Sequence, residues 1–299
     1  MSLPERIDPD SWQDYRYIDL HCHSNHSDGS DSPKELLRLA DELRLRAIAL
    51  TDHDTVSGLP EFFAAASAYP ETEAIAGVEL SVGYSARELH IVGLFIDPEE
   101  QSLQTFLFQQ RQNRIRRNEE IWRKLKSLGY PFAWDDPVFA HVSFDNIGRP
   151  HIADVLQKHY GFSSRQEVFD KLLGHGRPAF VQRRLPESAA AIAAIRQSGG
   201  VAVWAHPTYR GRNERSFVKR LAKKLRAIGL EGIEAYYAMF GKAETDLVLE
   251  IAELADLAPS GGSDYHGKSD AGPMLGCGCG GLRVPAELLA ELKRRRPKR

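Results

Sequence analysis

Tyr17-Ile18-Asp19-Leu20-His21-Cys22-His23, continued by Ser24-Asn25-His26-Ser27-Asp28-Gly29, is the most informative run of the chain. Its first seven residues are mostly apolar and β-favouring, so Tyr17–His23 reads as a strand. Side chains alternate along a strand. His21 and His23 therefore face one way, and Leu20 and Cys22 the other. Two imidazoles converging at a strand end can chelate one metal ion. Gly29 suits a tight turn that would fold the Asp28 carboxylate back toward them.

The same grammar recurs downstream. Ser32 and Pro33 open a helix with Leu36, Leu37, Ala40 and Leu43 at helical spacing. Ala47–Asp52 is a second strand, Gly58–Ala68 a helix, and Ala74–Val82 and Glu88–Ile96 two strands joined by a short turn around Gly83. From residue 99 to residue 197 the strand signal fades. Gln101–Leu128 is a long helical stretch ended by Gly129 and Pro131, and shorter helices follow over His151–His159, Arg165–Leu173 and Glu187–Gln197. Strands then resume at Val201–Ala205, Gly232–Tyr236 and Pro259–Ser263, separated by helices Phe217–Ile228 and Ala243–Ala255. Seven strands with helices between them favour an α/β barrel, with an open doubly wound sheet as the alternative. The barrel would be discontinuous, residues 1–98 and 198–299, with residues 99–197 as an inserted helical subdomain.

Eleven histidines occur, and their placement is the chemical signal. His53 follows the second strand in Thr-Asp-His-Asp, and Glu79 ends the third in Gly-Val-Glu. His90 lies inside the apolar fourth strand. His206 ends Val-Ala-Val-Trp-Ala-His-Pro, and Asp264 and His266 follow the last strand. In barrel enzymes the carboxyl ends of the strands form one face, where active sites sit. A single histidine there is commonly a hydrogen-bonded structural group. Nine imidazoles and carboxylates on one face would need cations to neutralise and orient them. Imidazole and carboxylate without thiolate suit Zn²⁺, Mn²⁺ or Fe²⁺. Cys22 faces away from the set, and Cys277 and Cys279 have no second pair at zinc-finger spacing, so Gly-Cys-Gly-Cys-Gly-Gly is expected to be a flexible loop.

Composition bounds the rest. The 299 residues are 27% charged and 42% hydrophobic with a net charge of −2, which excludes a wholly disordered or collagen-like chain. Three cysteines are too few for a disulfide scaffold and fit a reducing compartment. The N-terminal run MSLPERIDPDSWQDY has no apolar core of a secretory signal. Apolar stretches such as Ala189–Ile195 fall far short of the ~20 residues that span a bilayer, so a cytoplasmic protein with no membrane partner is expected. Lys293–Arg299 holds six basic groups and no acid, and is expected to be a frayed, solvated end. Arg111, Arg114, Arg116 and Arg117 on the long helix are expected to form a solvated face with Glu119 and Glu120.

The motifs His-Cys-His…Ser-Asp-Gly, Thr-Asp-His-Asp, Gly-Val-Glu, Leu-His-Ile-Val-Gly, Ala-His-Pro and Gly-Ser-Asp-Tyr-His-Gly resemble, in this order, those of the PHP (polymerase and histidinol phosphatase) family. The resemblance runs from about Ile18 to Gly267. It implies a distorted seven-stranded (β/α) barrel with a two- or three-metal phosphoesterase centre. Carried over by motif, His21 and His23 hold one metal with Glu79 and Asp264. Glu79 bridges to a second held by His90 and His206, and Asp28, His53 and His266 hold a third. The insertion, with Asn146-Ile-Gly-Arg-Pro-His151, is most similar to the subgroup of 3′,5′-nucleoside bisphosphate phosphatases and 5′-3′ exoribonucleases. That likeness implies a small phosphorylated nucleotide as substrate, with short RNA as a neighbouring possibility and no protein partner. Arg149 would then contact phosphate as a bidentate donor. His151, or His206 if it is not a ligand, would protonate the leaving oxygen, and Arg183 and Arg184 could contact a second phosphate. A histidinol-phosphate-type phosphatase is a further alternative. A metal-dependent amidohydrolase would want a Lys at one of these strand ends, where none occurs. A non-catalytic metal-binding module need not keep every ligand.

Overall fold

The computed structural model describes residues 15–85, 87–140, 144–208, 215–267 and 272–298. The N-terminal run before Tyr15 and the last residue of the basic tail lie outside them. Ser32 caps the first helix as its sequence suggests, its side chain accepting the Glu35 N–H with Pro33 in the first turn. In chain order the elements are β1 (Ile18–Cys22), α1 (Pro33–Glu42), β2 (Ala47–Leu50), α2 (Leu59–Ala66), β3 (Glu73–Tyr84) and β4 (Arg87–Leu94). Then come α3 (Gln101–Ser127), α4 (Arg149–Tyr160), α5 (Arg165–Val168) with a π-helical turn Phe169–Leu173, and α6 (Ser188–Gln197). The chain finishes with β5 (Val201–Trp204), α7 (Arg215–Ala227), β6 (Gly232–Tyr237), α8 (Lys242–Leu254), β7 (Ala258–Gly262) and α9 (Leu288–Arg294).

The seven strands form one sheet in sequence order. β1, β2 and β3 are parallel, as are β5, β6 and β7, while β4 runs antiparallel to both of its neighbours. The β3–β4 turn falls later than Gly83, which is still paired with Glu88. The sheet curls until β7 meets β1: Asp264 N–H donates to the His21 carbonyl at 2.8 Å and His23 N–H to the Tyr265 carbonyl at 2.8 Å. A Cβ on Gly262 would run into the His21 backbone, so only glycine permits this closure. The result is a nearly closed seven-stranded barrel of distorted PHP type.

Two apolar layers follow. Leu36, Leu37, Phe62, Ile192, Leu221 and Val248 of the helices pack on Ile48, Leu50, Ile91 and Trp204 outside the barrel. Ile18, Leu20, Ala47, Ala49, Ile75, Val92 and Val203 fill its interior, with Leu289 and Leu292 of α9 among them. Burying these faces is what turns the alternating pattern into a closed sheet. Between β4 and β5, the second half of α3, α4, α5 and the turn after it carry a third cluster built from Ile121, Leu125, Ile152, Leu156, Val168 and Leu173, while α6 packs on the barrel through Ala191, Ile192 and Ile195.

Four expectations are corrected here. Leu20 joins the interior cluster, whereas Cys22 joins the outer one, so they do not share a face. The register between β1 and β2 gains a residue between Asp19 and Cys22, and that bulge turns His21 inward directly after Leu20. The basic tail is not frayed along its described length: α9 ends in it, Lys293 pairs with Glu73 at 2.7 Å and Arg295 with Asp256 at 2.8 Å. The Cys277 turn is folded down rather than loose, with Met274 bridged to Gly278 and Cys277 3% exposed. Arg114 is buried rather than solvated, and Arg117 is half-buried. No described helix is long and apolar enough to cross a membrane.

Candidate metal centre

The antiparallel course of β4 explains how a mid-strand histidine reaches the site. Its first half lies beside the carboxyl ends of the parallel strands, with His90 opposite Ser81. His90 shares the interior face with Val92 and Leu94, which fill the barrel below it. The structure brings all nine sequence-predicted histidine and carboxylate residues to this one end of the barrel.

Glu79, fully buried in the middle of β3 on its interior face, is the hub. Its Oε2 lies 3.3 Å from His21 Nε2, 3.3 Å from His23 Nε2 and 2.9 Å from His53 Nδ1. Its Oε1 lies 2.9 Å from His90 Nδ1 and 3.2 Å from His206 Nε2. Asp264 Oδ1 sits 3.5 Å from His21 Nε2 and 3.1 Å from His23 Nε2. Asp28 faces His266 Nε2 at 3.3 Å, His53 Nε2 at 3.8 Å and His23 Nδ1 at 3.9 Å. Three overlapping groups of ligand atoms result: His21, His23, Glu79 and Asp264; His53, Glu79 and His90; and His23, Asp28, His53 and His266. His206 meets the same Glu79 oxygen as His90.

Electrostatics agree with this crowding. Burial works to raise Glu79, yet His53, His21 and His90 outweigh it and hold the carboxyl well below its usual range. Burial likewise opposes, and the histidines overcome it, at Asp28 and Asp264. His21, His53 and His90 move up from their ordinary values because the carboxylates prevail over burial. Several buried ligand atoms nonetheless lack a hydrogen bond of acceptable geometry: His21 Nε2, both ring nitrogens of His23, His53 Nδ1 and Glu79 Oε2. Buried polar atoms are normally satisfied. Orphaned imidazole and carboxylate atoms, all aimed at common points and with no thiolate among them, fit divalent cations.

Supporting groups the sequence reading passed over hold these residues in place. Asp52 accepts from Ser24 N–H and Oγ at 2.7 Å each and from Ser27 Oγ at 2.6 Å, shaping the loop that carries Asp28. A Cβ on Gly29 in that loop would collide with the His23 carbonyl. Asp19 accepts from Ser263 N–H at 2.9 Å and Ser263 Oγ at 2.6 Å, just before Asp264. Tyr237 OH donates to Asp264 Oδ2 at 3.0 Å. His206 and Asp264 both have positive φ, 32° and 53°, so two strand-end residues sit in a region that L-residues avoid. The signal for such partners is weak, because a buried Asp in a strand looks the same whichever group it serves.

The helices between β4 and β5 wall a cleft of about 660 Å³ that His53, His90 and Asp28 also line. Arg114, Arg117, Arg149, His151 and Arg183 face the same cleft, whereas Arg184 lines a separate small cavity. Asp54 ties the wall to the barrel, one Oδ2 accepting from Arg114 and Arg183 at 2.6 Å each. Among the described residues neither Arg117 nor Arg149 makes a direct ion pair with a carboxylate, and Glu88 on the same cleft attracts both from farther away. Arg117 bonds the neutral Asn118 Oδ1 at 2.9 Å, and burial together with Arg183, Arg114 and Arg149 pushes it down to about 9. Arg149 lies over the Phe169 and Phe180 rings and donates to the Leu173 carbonyl at 3.3 Å. His151 Nδ1 accepts the Gly148 N–H at 2.9 Å, so its proton sits on Nε2. Burial lowers its pKa, keeping the ring neutral.

Comparison with known proteins places this geometry. Residues 19–198 match the PHP domain family. The chain is 35% identical over 248 residues to a 5′-3′ exoribonuclease of Haemophilus influenzae, covering 83% of this chain and 89% of that one. It is 34% identical over 264 residues to a 3′,5′-nucleoside bisphosphate phosphatase of Chromobacterium violaceum, covering 87% and 90%. A crystal structure from Bifidobacterium adolescentis, assigned as a metal-dependent phosphoesterase, superposes with a TM-score of 0.82 at 28% identity over 95% of this chain and 98% of that one. Motif order, barrel topology and the histidine–carboxylate cluster agree with these matches: the chain belongs to the PHP family and is a metal-dependent phosphoric ester hydrolase.

Proposed function

We propose that the protein hydrolyses a small nucleotide carrying two phosphates, converting a 3′,5′-nucleoside bisphosphate to the nucleoside 5′-monophosphate and phosphate. The observation that carries this reading is the pair of guanidiniums, Arg117 and Arg149, that make no direct ion pair with a carboxylate among the described residues and face the cleft that opens onto the ligand cluster. A buried cation without a counter-charge is unfavourable unless an anion completes it. Two such cations beside a metal cluster suit a substrate with one anionic group at the cluster and another held apart from it. The volume of about 660 Å³ matches a small-molecule site.

In this reading His21, His23, Glu79 and Asp264 hold one divalent ion. Glu79 with His90, His206 and His53 holds a second, and Asp28, His53, His266 and His23 serve a third, with Mn²⁺, Zn²⁺ or Fe²⁺ fitting the donor set. Bound ions supply Lewis acidity to the phosphoryl oxygens and acidify water for the attack. The chain's own residues do the positioning. Arg149, stacked on Phe169 and Phe180, offers parallel N–H donors to the oxygens of the reacting phosphate. His151, with its proton on Nε2, is the group on this cleft that would donate to the leaving oxygen. Arg117 and Arg183 face the second phosphate. Arg183 is oriented by Asp54, whereas Arg117 has no direct carboxylate contact among the described residues.

Short RNA is the second reading, supported by a further cavity of about 760 Å³ that shares Asp28 and His151 with the cleft, reaches His266 and opens past Arg165 and Pro273. A cluster reached from two sides suits a substrate that continues beyond its cleaved end. With Mn²⁺ supplied, release of phosphate should be measured on 3′,5′-bisphosphorylated nucleosides and mononucleotides, and release of nucleoside 5′-monophosphates on 5′-phosphorylated RNA oligomers. Highest kcat/KM on the bisphosphate supports the proposal. Turnover of RNA alone favours the second reading, and no release from any nucleotide refutes both.

A further inference from the structure

Every strand but β6 delivers a residue to the cluster. His21 and His23 come from β1 and its end, His53 follows β2, Glu79 is on β3 and His90 on β4. His206 follows β5, and Asp264 and His266 follow β7. β6 delivers Glu234 instead, one layer behind, 3% exposed and on the interior side of its strand. Its two oxygens are divided between two of these residues. Oε1 lies 2.9 Å from His21 Nδ1, and Oε2 accepts the His206 backbone N–H at 2.7 Å.

These two bonds have consequences at Glu79. An ionised carboxylate only accepts, so the proton between Glu234 and His21 belongs to Nδ1. That leaves the Nε2 lone pair of His21 pointing at Glu79 Oε2 and Asp264 Oδ1, and Nε2 is one of the buried atoms without a hydrogen bond. His206 holds a φ of 32°, which a non-glycine residue keeps only when its surroundings over-determine it. The bond to its N–H supplies that restraint, and its Nε2 then reaches Glu79 Oε1. Glu234 thus stands behind the histidines on both oxygens of Glu79.

We infer that Glu234 is a positioning residue, fixing the ligating form of His21 and the placement of His206 and thereby coupling two metal subsites through one carboxylate. The inference rests on the reading of His21 and His206 as metal ligands. Partners of this kind fix the tautomer and orientation of a ligating imidazole. Glutamine has one acceptor oxygen and so cannot serve both N–H groups. Whichever way its amide turns, an N–H donor faces either His21 Nδ1 or the His206 N–H.

The first measurement uses the parent protein with ¹⁵N-labelled histidine, loaded with Zn²⁺. His21 is expected to carry its proton on Nδ1 and the metal on Nε2; the reverse overturns the inference. Zn²⁺ titration of metal-stripped Glu234→Gln is expected to show binding weakened by about 10- to 100-fold, with parent-like circular dichroism. Parent-like Zn²⁺ affinity in a folded Glu234→Gln overturns the inference, and should that variant not fold, the tautomer in the parent decides. His21→Ala separates the two levels. If it binds Zn²⁺ like the parent, the ligand reading fails and takes the inference with it. If it loses Zn²⁺ while Glu234→Gln does not, only the role of Glu234 fails.

Discussion

Arg117→Met should separate binding from stability in opposite directions. Among the described residues the parent side chain bonds only the neutral Asn118 amide oxygen, through Nε at 3.3 Å and Nη2 at 2.9 Å. It sits among Arg114, Arg149 and Arg183, which with burial bring its pKa down to about 9. Methionine keeps the apolar stem that packs along α3 and removes the charge. Replacing a buried charge that has no partner is neutral or stabilising, by about 1 kcal/mol in a half-buried site. If Arg117 holds the second phosphate, losing a charge-assisted contact costs about 1.5–3 kcal/mol, which lowers kcat/KM on a 3′,5′-bisphosphate by about 10- to 150-fold. A 3′-mononucleotide, lacking the second phosphate, should lose much less. The assays are denaturant unfolding midpoints and phosphate release on both substrates. A variant that is destabilised, or whose loss is equal on the two substrates, would refute the assignment of Arg117 to a second phosphate.

Four further outcomes are expected. Chelation should abolish phosphate release and lower the melting temperature, and Mn²⁺ should restore both, because ions bound to the folded cluster stabilise it by mass action; full activity in metal-stripped protein would contradict the centre. Asp264→Asn and His53→Ala should each reduce metal content, measured by elemental analysis, together with kcat, and a variant with parent-like occupancy and turnover would remove that residue from the site. Asp54→Asn should destabilise by about 3–5 kcal/mol in denaturant unfolding, since it strips the counter-charge from buried Arg114 and Arg183. Burial raises Asp54 but those guanidiniums hold it below the usual carboxylate range, so its stabilisation is complete at neutral pH and is lost only as strongly acidic pH protonates it; no loss in the variant would show the pairs to be dispensable. Cys277, pushed up to about 11 mainly by burial, and buried Cys22 should resist iodoacetamide at pH 8 while exposed Cys279 reacts, as peptide mapping would check.

The strand and helix alternation was legible in the sequence because each element carries its own signal. Ser32 and Pro33 announce α1, Gly129 and Pro131 end α3, and the apolar runs of β2 to β5 are long enough to stand out. The ligand set was legible for a related reason. Histidines and carboxylates at strand ends are local features, and parallel strands of a barrel carry their carboxyl ends to one face whatever the helices between them do. α9 was missed because its basic residues hide a short apolar stripe, Leu288, Leu289 and Leu292, whose role is to close the barrel from below.

What the chain's own order of residues determined is therefore the periodicity of its elements and the chemical inventory of the site. Tertiary structure decided the rest, because each remaining feature depends on partners distant in sequence. The bulge after Asp19 turns His21 inward only because β2 sets the register beside it. The reversal of β4 makes His90 a site residue although it lies in mid-strand. Arg114 reads as one of five arginines on a polar helix, and its burial depends on Asp54, sixty positions away. Glu234 reads as a single acid in a strand, and its significance lies in meeting His21 and His206 from opposite sides. Local pattern encodes backbone preference and side-chain type, but the burial of a charge and its pairing are properties of the closed barrel, where desolvation makes each partner count.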